Sequence, residues 1–234
     1  MYVRKIMQNK FHILQLCYLS VFFISILKAD DNLKILKQLK DNKDWILIED
    51  RSDSIRVYEK QIDRMDLKAL KVEKVVKFNP KSILETVMDI NNYSNILSSD
   101  DLTSFIIGQK NNLVYAYNHI PIPLPFIEDR HYIFTIKKVS NKEVSWSLVD
   151  YAKVKATSKL KAMINKNPTA VYLDYGAGFW YIEPLTESIS QVSYTLYMDS
   201  GGALTNNLND LFTSQSIINL YKNVLKEGKK RVEK

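Results

Sequence analysis

Three prolines at alternate positions constrain the fold of this chain more than any other feature of its sequence. Residues 115–130 read YAYNHIPIPLPFIEDR, so Pro121, Pro123 and Pro125 follow an alternating stretch over 112–120. Proline lacks the amide hydrogen that a central strand donates to its neighbour, so a strand has to end here. Alternation resumes directly after Asp129 and Arg130. The pattern predicts two strands joined by a proline-stiffened surface loop over 121–129.

Hydrophobic periodicity along the rest of the chain predicts a single α+β domain over residues 30–234. No internal repeat or low-complexity linker divides it. We expect helices at 30–40, 81–89 and 91–97, and a long amphipathic helix from 204 to about 226. The expected strands are 45–49, 55–61, 70–78, 102–109, 112–120, 130–139, 143–150, 171–183 and 191–199.

Residues 1–29 differ from the rest of the chain in charge and hydropathy. Arg4, Lys5 and Lys10 precede an apolar run over 13–27, and polar sequence follows from Lys28. A basic start, a short apolar stretch and a polar continuation are the layout of a secretory signal peptide. We therefore expect export to a periplasm or to the outside of the cell, with an uncleaved N-terminal anchor as the alternative. Cys17, the only cysteine, lies within this run, so residues 30–234 can form no disulfide.

Several short motifs accompany this element order. They are Trp45 at the first strand, Met88 and Asp89 before Tyr93, the proline loop before Asp129 and Arg130, the run GFWYIEP at 178–184, and YTLYMDSGG at 194–202. Together they resemble the START family of lipid-binding domains, part of the helix-grip (SRPBCC) superfamily, and the resemblance covers essentially all of 30–234. It implies a curved antiparallel sheet wrapped around a long C-terminal helix that encloses an apolar tunnel. It also implies a lipid or another hydrophobic molecule as ligand.

Alternation predicts which side chains would line such a tunnel. Inward faces of four elements supply the candidate ligand-binding residues. They are Tyr115, Tyr117, His119, Trp146, Leu148, Tyr194, Leu196 and Met198 on strands, and Phe212 and Ile218 on the last helix. The same pattern suits residues that fill a solid core, so a cavity does not follow from alternation alone.

The proline loop is the candidate gate of the tunnel. Leu124, Pro125, Phe126 and Ile127 are apolar residues in a segment that belongs at the surface. One interpretation is membrane contact and ligand entry; the other is a stiff turn that packs on its own helix. We expect Asp129 and Arg130 to form an ion pair that braces the loop.

Catalytic and metal-binding signals are sparse. His119 and His131 are the only histidines after residue 12, and no catalytic motif, cofactor-binding glycine loop or metal-ligand spacing accompanies them. We predict ordinary structural or surface histidines, with His131 exposed, and neither enzymatic activity nor a cofactor. Two alternatives stay open: a superfamily enzyme, such as a cyclase or hydrolase using His119 with Tyr115 or Tyr117, and a filled-core interaction domain.

Charge argues against a nucleic-acid partner. The net charge is +7, but residues 30–234 carry 29 basic and 26 acidic residues, a net of +3. A nucleic-acid binder needs a concentrated basic face. Only the segment from Lys153 to Lys166 is rich in lysine without acids. It is either a solvated loop or a site of transient contact with anionic lipid head groups. We expect a monomer.

Overall fold

A computed structural model describes residues 31–122, 127–199, 201 and 214–233. Residues 31–39 form helix α1. It is followed by β1 (Ile46–Asp50), β2 (Arg56–Gln61), β3 (Lys68–Val76), α2 (Lys81–Met88), α3 (Tyr93–Ile96), β4 (Thr103–Lys110), β5 (Leu113–Ile120), β6 (Arg130–Lys138) and β7 (Glu143–Val149). The remaining elements are α4 (Ser158–Lys166), β8 (Val171–Tyr172), β9 (Gly176–Pro184), β10 (Ser190–Met198) and α5 (Ser214–Val232). Short 3₁₀ turns lie at Ile90–Asn92 and Tyr151–Lys153.

The strands form one sheet with the order β1-β2-β3-β10-β9-β7-β6-β5-β4, and β8 lies beside β6. The neighbours along this order are antiparallel, whereas β8 runs parallel to β6. Strand β3 pairs with β10, so the first three strands of the chain join the rest of the sheet through its last strand. A sheet of this length has to twist and curl, and here one face turns towards α2 and α5.

The main core lies between that inner face and the two helices. It contains Val72 and Val192 of the sheet, Ile83 of α2, and Ile218 and Tyr221 of α5, each at most 1% exposed. Helix α5 presents one apolar stripe to the sheet and to α2, while its lysines lie on the other side. The structure therefore confirms the predicted α+β helix-grip fold.

Two smaller helices cover the outer face of the sheet. Helix α1 packs Ile35 and Leu39 against Ala69, Ala177 and Tyr197. Helix α4 packs Leu160 against Phe105, Tyr117 and Ile133. Strands in the middle of the sheet are consequently buried on both faces.

The structure corrects three details of the expected element boundaries. The lysine-rich segment read as a loop contains α4, in which Thr157 caps the helix by accepting from the Leu160 amide at 3.2 Å. The single strand expected over 171–183 is two strands, β8 and β9. The last helix extends to Val232, and the expected start at 204 lies outside the described residues, as do residues 1–30. Among the helices of the described part, none is both long and apolar enough to cross a membrane.

Candidate functional site: an apolar cavity under the last helix

A cavity of about 210 Å³ lies between the inner face of the sheet and the first turns of α5. Helices α2 and α3 close one side of it. Its lining consists of Val87, Tyr93, Ile96, Leu97, Leu102, Asn118, Ile120, Tyr132, Phe134, Ile136, Trp146, Trp180, Tyr194, Leu196, Met198, Ser216, Ile217, Leu220 and Val224. None of these side chains carries a charge at neutral pH, so the surface of the cavity is apolar with a few neutral polar groups.

Gly178 shapes one wall of the cavity. It pairs with Trp146 on the neighbouring strand β7. A Cβ atom on Gly178 would lie 2.8 Å from Trp146 Nε1 and 2.6 Å from the Thr195 carbonyl oxygen. Only glycine lets the indole lie this close to the sheet. The tryptophan therefore covers the wall of the cavity instead of projecting across it.

Three stacked rings join the sheet to α5. The Trp180 ring lies between the rings of Tyr194 and Tyr221, with centroids 4.4 Å and 5.5 Å away. The Tyr221 hydroxyl also donates to the Val192 carbonyl at 2.7 Å. This hydrogen bond and the stack fix the middle of α5 over the sheet.

The C-terminal half of α5 is held against α2 and α3. Asn223 donates to the Leu97 carbonyl at 3.0 Å, and Arg231 pairs with Asp89 at 2.6 Å. Between them, Gly228 packs directly against Ile83. Three of the four α5 residues that line the cavity, Ser216, Ile217 and Leu220, precede these anchors, and Val224 follows Asn223. Helix α5 is thus fixed along its C-terminal half and covers the cavity mainly with its N-terminal turns.

Tyrosine hydroxyls and one amide supply most of the polar groups of the cavity. Asn118 donates to the Tyr132 hydroxyl at 2.9 Å, and Tyr93 donates to the Val87 carbonyl at 2.5 Å. Burial raises the pKa of Tyr93, Tyr132 and Tyr194. These phenols consequently remain neutral hydrogen-bonding groups at physiological pH.

Of the residues predicted from sequence, the structure brings four together at the cavity: Trp146, Tyr194, Leu196 and Met198. Leu148 and Ile218 are buried in the same core without lining the cavity. Phe212 lies outside the described residues, as do Leu124, Pro125 and Phe126 of the expected gate. Ile127 is half-buried at the end of that loop.

The face expected for β5 was wrong. Tyr115, Tyr117 and His119 lie on the side of the strand opposite Asn118 and Ile120, which line the cavity. Tyr117 instead packs beneath α4 with Phe105 and Ile133. Both faces of this strand are covered, so its larger aromatic side chains did not mark the inner face. Asn118 and its cross-strand partner Tyr132 were the residues that sequence reasoning missed.

The two histidines form a buried cluster on that outer face. His119 Nε2 is 3.1 Å from Asp129 Oδ2, and the Tyr117 hydroxyl is 3.2 Å from His131 Nδ1. His131 is 6% exposed, which corrects the expectation of a surface position. Burial is the main cause that lowers the pKa of His131, and the electrostatic interaction with nearby His119 lowers it further. No group of three or more metal-ligating side chains occurs within the described ranges.

Asp129 and Arg130 bond to backbone groups at both ends of the proline loop. Asp129 accepts from the Ile122 amide at 3.0 Å and contacts His119. Arg130 is 1% exposed and donates to backbone carbonyls of Glu128, Asp129 and Gly201. In these contacts the two side chains bond to the backbone, and Asp129 also contacts His119; the expected ion pair between them stays a prediction.

Comparison with known proteins identifies the fold. No family model and no curated protein matches the sequence. Among solved structures, human STARD10 matches with a TM-score of 0.61 at 14% identity, over 81% of this chain and 76% of that chain. Human StAR-related lipid transfer protein 5 matches with a TM-score of 0.60 at 15% identity, over 88% of this chain and 95% of that chain. The Zhui aromatase/cyclase from Streptomyces sp. R1128 matches with a TM-score of 0.50 at 12% identity, over 70% and 94%.

These similarities define the class of structure. The chain has the helix-grip fold found in START domains, with the cavity in the space between the sheet and the C-terminal helix.

Proposed function

We propose that this protein binds a lipid or another hydrophobic small molecule in the cavity under α5, and that it transfers that molecule between environments. The apolar cavity itself carries the proposal, because it lies between the sheet and α5 and its described lining residues are uncharged. The structural similarity to human StAR-related lipid transfer protein 5 supports it.

The volume of the cavity sets the scale of the ligand. An apolar cavity of roughly 150 Å³ holds a benzene molecule, and this one measures about 210 Å³. Ligand pockets commonly range from about 300 to 1,000 Å³. Each buried methylene contributes about 0.8 kcal/mol. A long acyl chain or a ring system would thus bind well, provided that the cavity widens at its mouth.

We propose that the mouth widens between the proline loop and the start of α5. Ile120, the last residue of β5 before the loop, and Ser216, in the first turn of α5, line the same cavity. Leu124, Pro125, Phe126 and Ile127 would then contact a membrane during exchange. The lysines between Lys153 and Lys166 would add attraction to an anionic surface.

Crosslinking tests this gate. Residues 30–234 contain no cysteine, so Ile120→Cys and Ser216→Cys can be joined by a short cleavable bis-maleimide. We expect the crosslinked protein to exchange a fluorescent lipid more slowly between vesicles, and cleavage to restore the rate. The two single-cysteine variants carrying the same reagent are the controls. An unchanged exchange rate would place the mouth elsewhere.

The enzyme alternative has less support from the geometry. It needs His119 with Tyr115 or Tyr117 inside the cavity, and these three side chains lie on the other face of β5. Neither a histidine nor a carboxylate appears in the described part of the cavity lining. The similarity to an aromatase/cyclase keeps this alternative as the second candidate. A filled-core interaction domain is less favoured, because the cavity is larger than one that already holds benzene.

Native mass spectrometry of the full chain expressed in cells tests the binding proposal. We expect one bound hydrophobic molecule, released and identified after solvent extraction. The same intact mass reports whether residues 1–29 are removed, as our proposal of export predicts. A ligand-free protein that also fails to bind fluorescent lipids would contradict the binding proposal and favour the interaction domain.

A further inference from the structure

Two buried side-chain atoms of the cavity lining have no hydrogen-bond partner, Trp146 Nε1 and Asn118 Oδ1. Trp146 Nε1 lies against Gly178 of the sheet, where an added Cβ atom would be 2.8 Å from it. Asn118 is 6% exposed, and its side chain lines the cavity on the inner face of β5. Its Nδ2 donates to the Tyr132 hydroxyl at 2.9 Å, but its Oδ1 is buried without a hydrogen-bond partner. A buried carbonyl without a partner is costly, because it has lost its bonds to water and gained nothing in return.

The side chains next to Asn118 on the inner face are mostly apolar. The neighbouring positions on the same face of the strand are Ala116 and Ile120, and the cavity-lining part of β6 opposite adds Phe134. An amide at this position contributes less to packing than a leucine of similar size would. The residue therefore suits recognition of a polar group on a ligand better than it suits the core.

The charge of the lining limits what that polar group can be. Among the residues that the structure describes, the cavity lining includes no lysine, arginine, histidine, aspartate or glutamate. Its tyrosines stay protonated, because burial raises the pKa of Tyr93, Tyr132 and Tyr194. A carboxylate, phosphate or ammonium group placed here would lose its hydration without meeting an opposite charge.

We propose that the cavity selects uncharged amphiphiles whose hydroxyl group donates a hydrogen bond to Oδ1 of Asn118. The ligand class is thus neutral lipids with a free hydroxyl, such as long-chain alcohols or sterol-like alcohols, in preference to fatty acids or phospholipids. This inference rests on the proposed function, since it names the ligand class of the same cavity.

One reporter dye and three ten-carbon competitors test the inference. The neutral dye N-phenyl-1-naphthylamine reports occupancy of the cavity, and 1-decanol, 1-methoxydecane and decanoate at pH 8 compete with it. The methyl ether is the more hydrophobic of the two neutral competitors but has no hydrogen to donate. We expect decanol to bind about tenfold more tightly than the ether, the ratio that one buried unpaired acceptor produces. Decanoate should bind more weakly than decanol.

Asn118→Leu is the matched variant, because it keeps the size of the side chain and removes the acceptor. We expect it to reverse the preference, measured as the ratio of the two competitor affinities in the same variant, so that the ether binds at least as tightly as the alcohol. Asn118→Thr, which retains an acceptor oxygen, should keep part of the preference for decanol. If Asn118→Leu does not fold, the wild-type ratios and Asn118→Thr still decide the question.

The outcomes separate this inference from the proposed function. Binding of the dye with equal affinity for alcohol and ether, or tighter binding of decanoate, would overturn the hydroxyl preference and leave the binding function intact. Failure of every probe, including the dye, to bind wild type would overturn both.

Discussion

The contact between Gly228 of α5 and Ile83 of α2 gives the most discriminating test of how the last helix is held. A Cβ atom at Gly228 would lie 2.9 Å from Ile83 Cγ1, 3.2 Å from Ile83 Cα and 3.3 Å from Ile83 N. Ile83 is fully buried and two of these three atoms belong to the backbone, so the neighbour cannot simply rotate away. Gly228→Ala is therefore expected to push the two helices apart.

Two effects of opposite sign decide the magnitude. Alanine in the interior of an isolated helix is about 1 kcal/mol more favourable than glycine. Forcing one extra methyl group into a close-packed interface costs about 1–3 kcal/mol. We expect the clash to dominate, so that Gly228→Ala lowers the free energy of unfolding by about 1 kcal/mol net. For a chain of this size that corresponds to a fall in Tm of about 2–4 °C.

Urea unfolding, followed by circular dichroism, measures the effect. Gly108→Ala is the control, because a Cβ atom at Gly108 meets nothing within 4 Å, and its effect should stay within about 0.5 kcal/mol. An Ile83→Ala background removes the closest contact, to Cγ1, and leaves the two backbone contacts, so Gly228→Ala should cost less there than in the wild-type protein. If Gly228→Ala stabilises the wild-type protein by about 1 kcal/mol, helix propensity alone is acting, and the close approach of α2 and α5 is wrong.

Three further predictions follow from the site and its surroundings. Leu220→Trp should fill the cavity and weaken binding of N-phenyl-1-naphthylamine, whereas Asn219→Trp, on the exposed side of the same helix, should not; equal affinities would show that the dye binds elsewhere. Tyr221→Phe keeps the ring stack but removes the 2.7 Å hydrogen bond to Val192, so urea unfolding should show a loss of about 1 kcal/mol. Burial lowers the pKa of His131 in the fold, so the unfolded chain takes up its proton first and stability falls as the pH drops below about 6.5. His131→Gln should lose less stability than wild type between pH 7.5 and 5.5, and identical pH profiles would contradict this assignment.

Alternation and helical periodicity were sufficient for most of the fold. The strand expected at 191–199 is β10 at Ser190–Met198, and the helix expected at 81–89 is α2 at Lys81–Met88. Each has one strongly apolar face in the core, so local sequence and tertiary packing agree about them. The proline loop also lies where the missing amide hydrogens require it, between the end of β5 at Ile120 and the start of β6 at Arg130.

Helix α4 was missed because its lysines outweighed its apolar residues. Leu160, Met163 and Ile164 recur at helical spacing and pack on the sheet, but lysines stand between and around them. Such a helix gains its stability from the surface it covers and little from its composition. That covering helix is also the reason why the face of β5 was misassigned. Once both faces of a strand are buried, side-chain size no longer distinguishes the inner face from the outer one.

The existence of the cavity depends on geometry that no linear pattern records. Leu148 and Leu196 are both buried apolar residues of the same core, yet only Leu196 lines the cavity. Leu148 packs over Gly176: a Cβ atom on Gly176 would lie 3.1 Å from Leu148 Cδ1. The leucine side chain therefore lies close to the sheet and forms part of the wall. Trp146 is held against the wall in the same way over Gly178. The two glycines keep large side chains close to the sheet. Helix α5 is anchored at Tyr221, Asn223 and Arg231, and most of its cavity-lining residues precede these anchors. The space between the sheet and α5 therefore depends on where the backbone permits close approach. This explains why the resemblance to a family predicted a cavity, whereas hydrophobic alternation alone left it undecided.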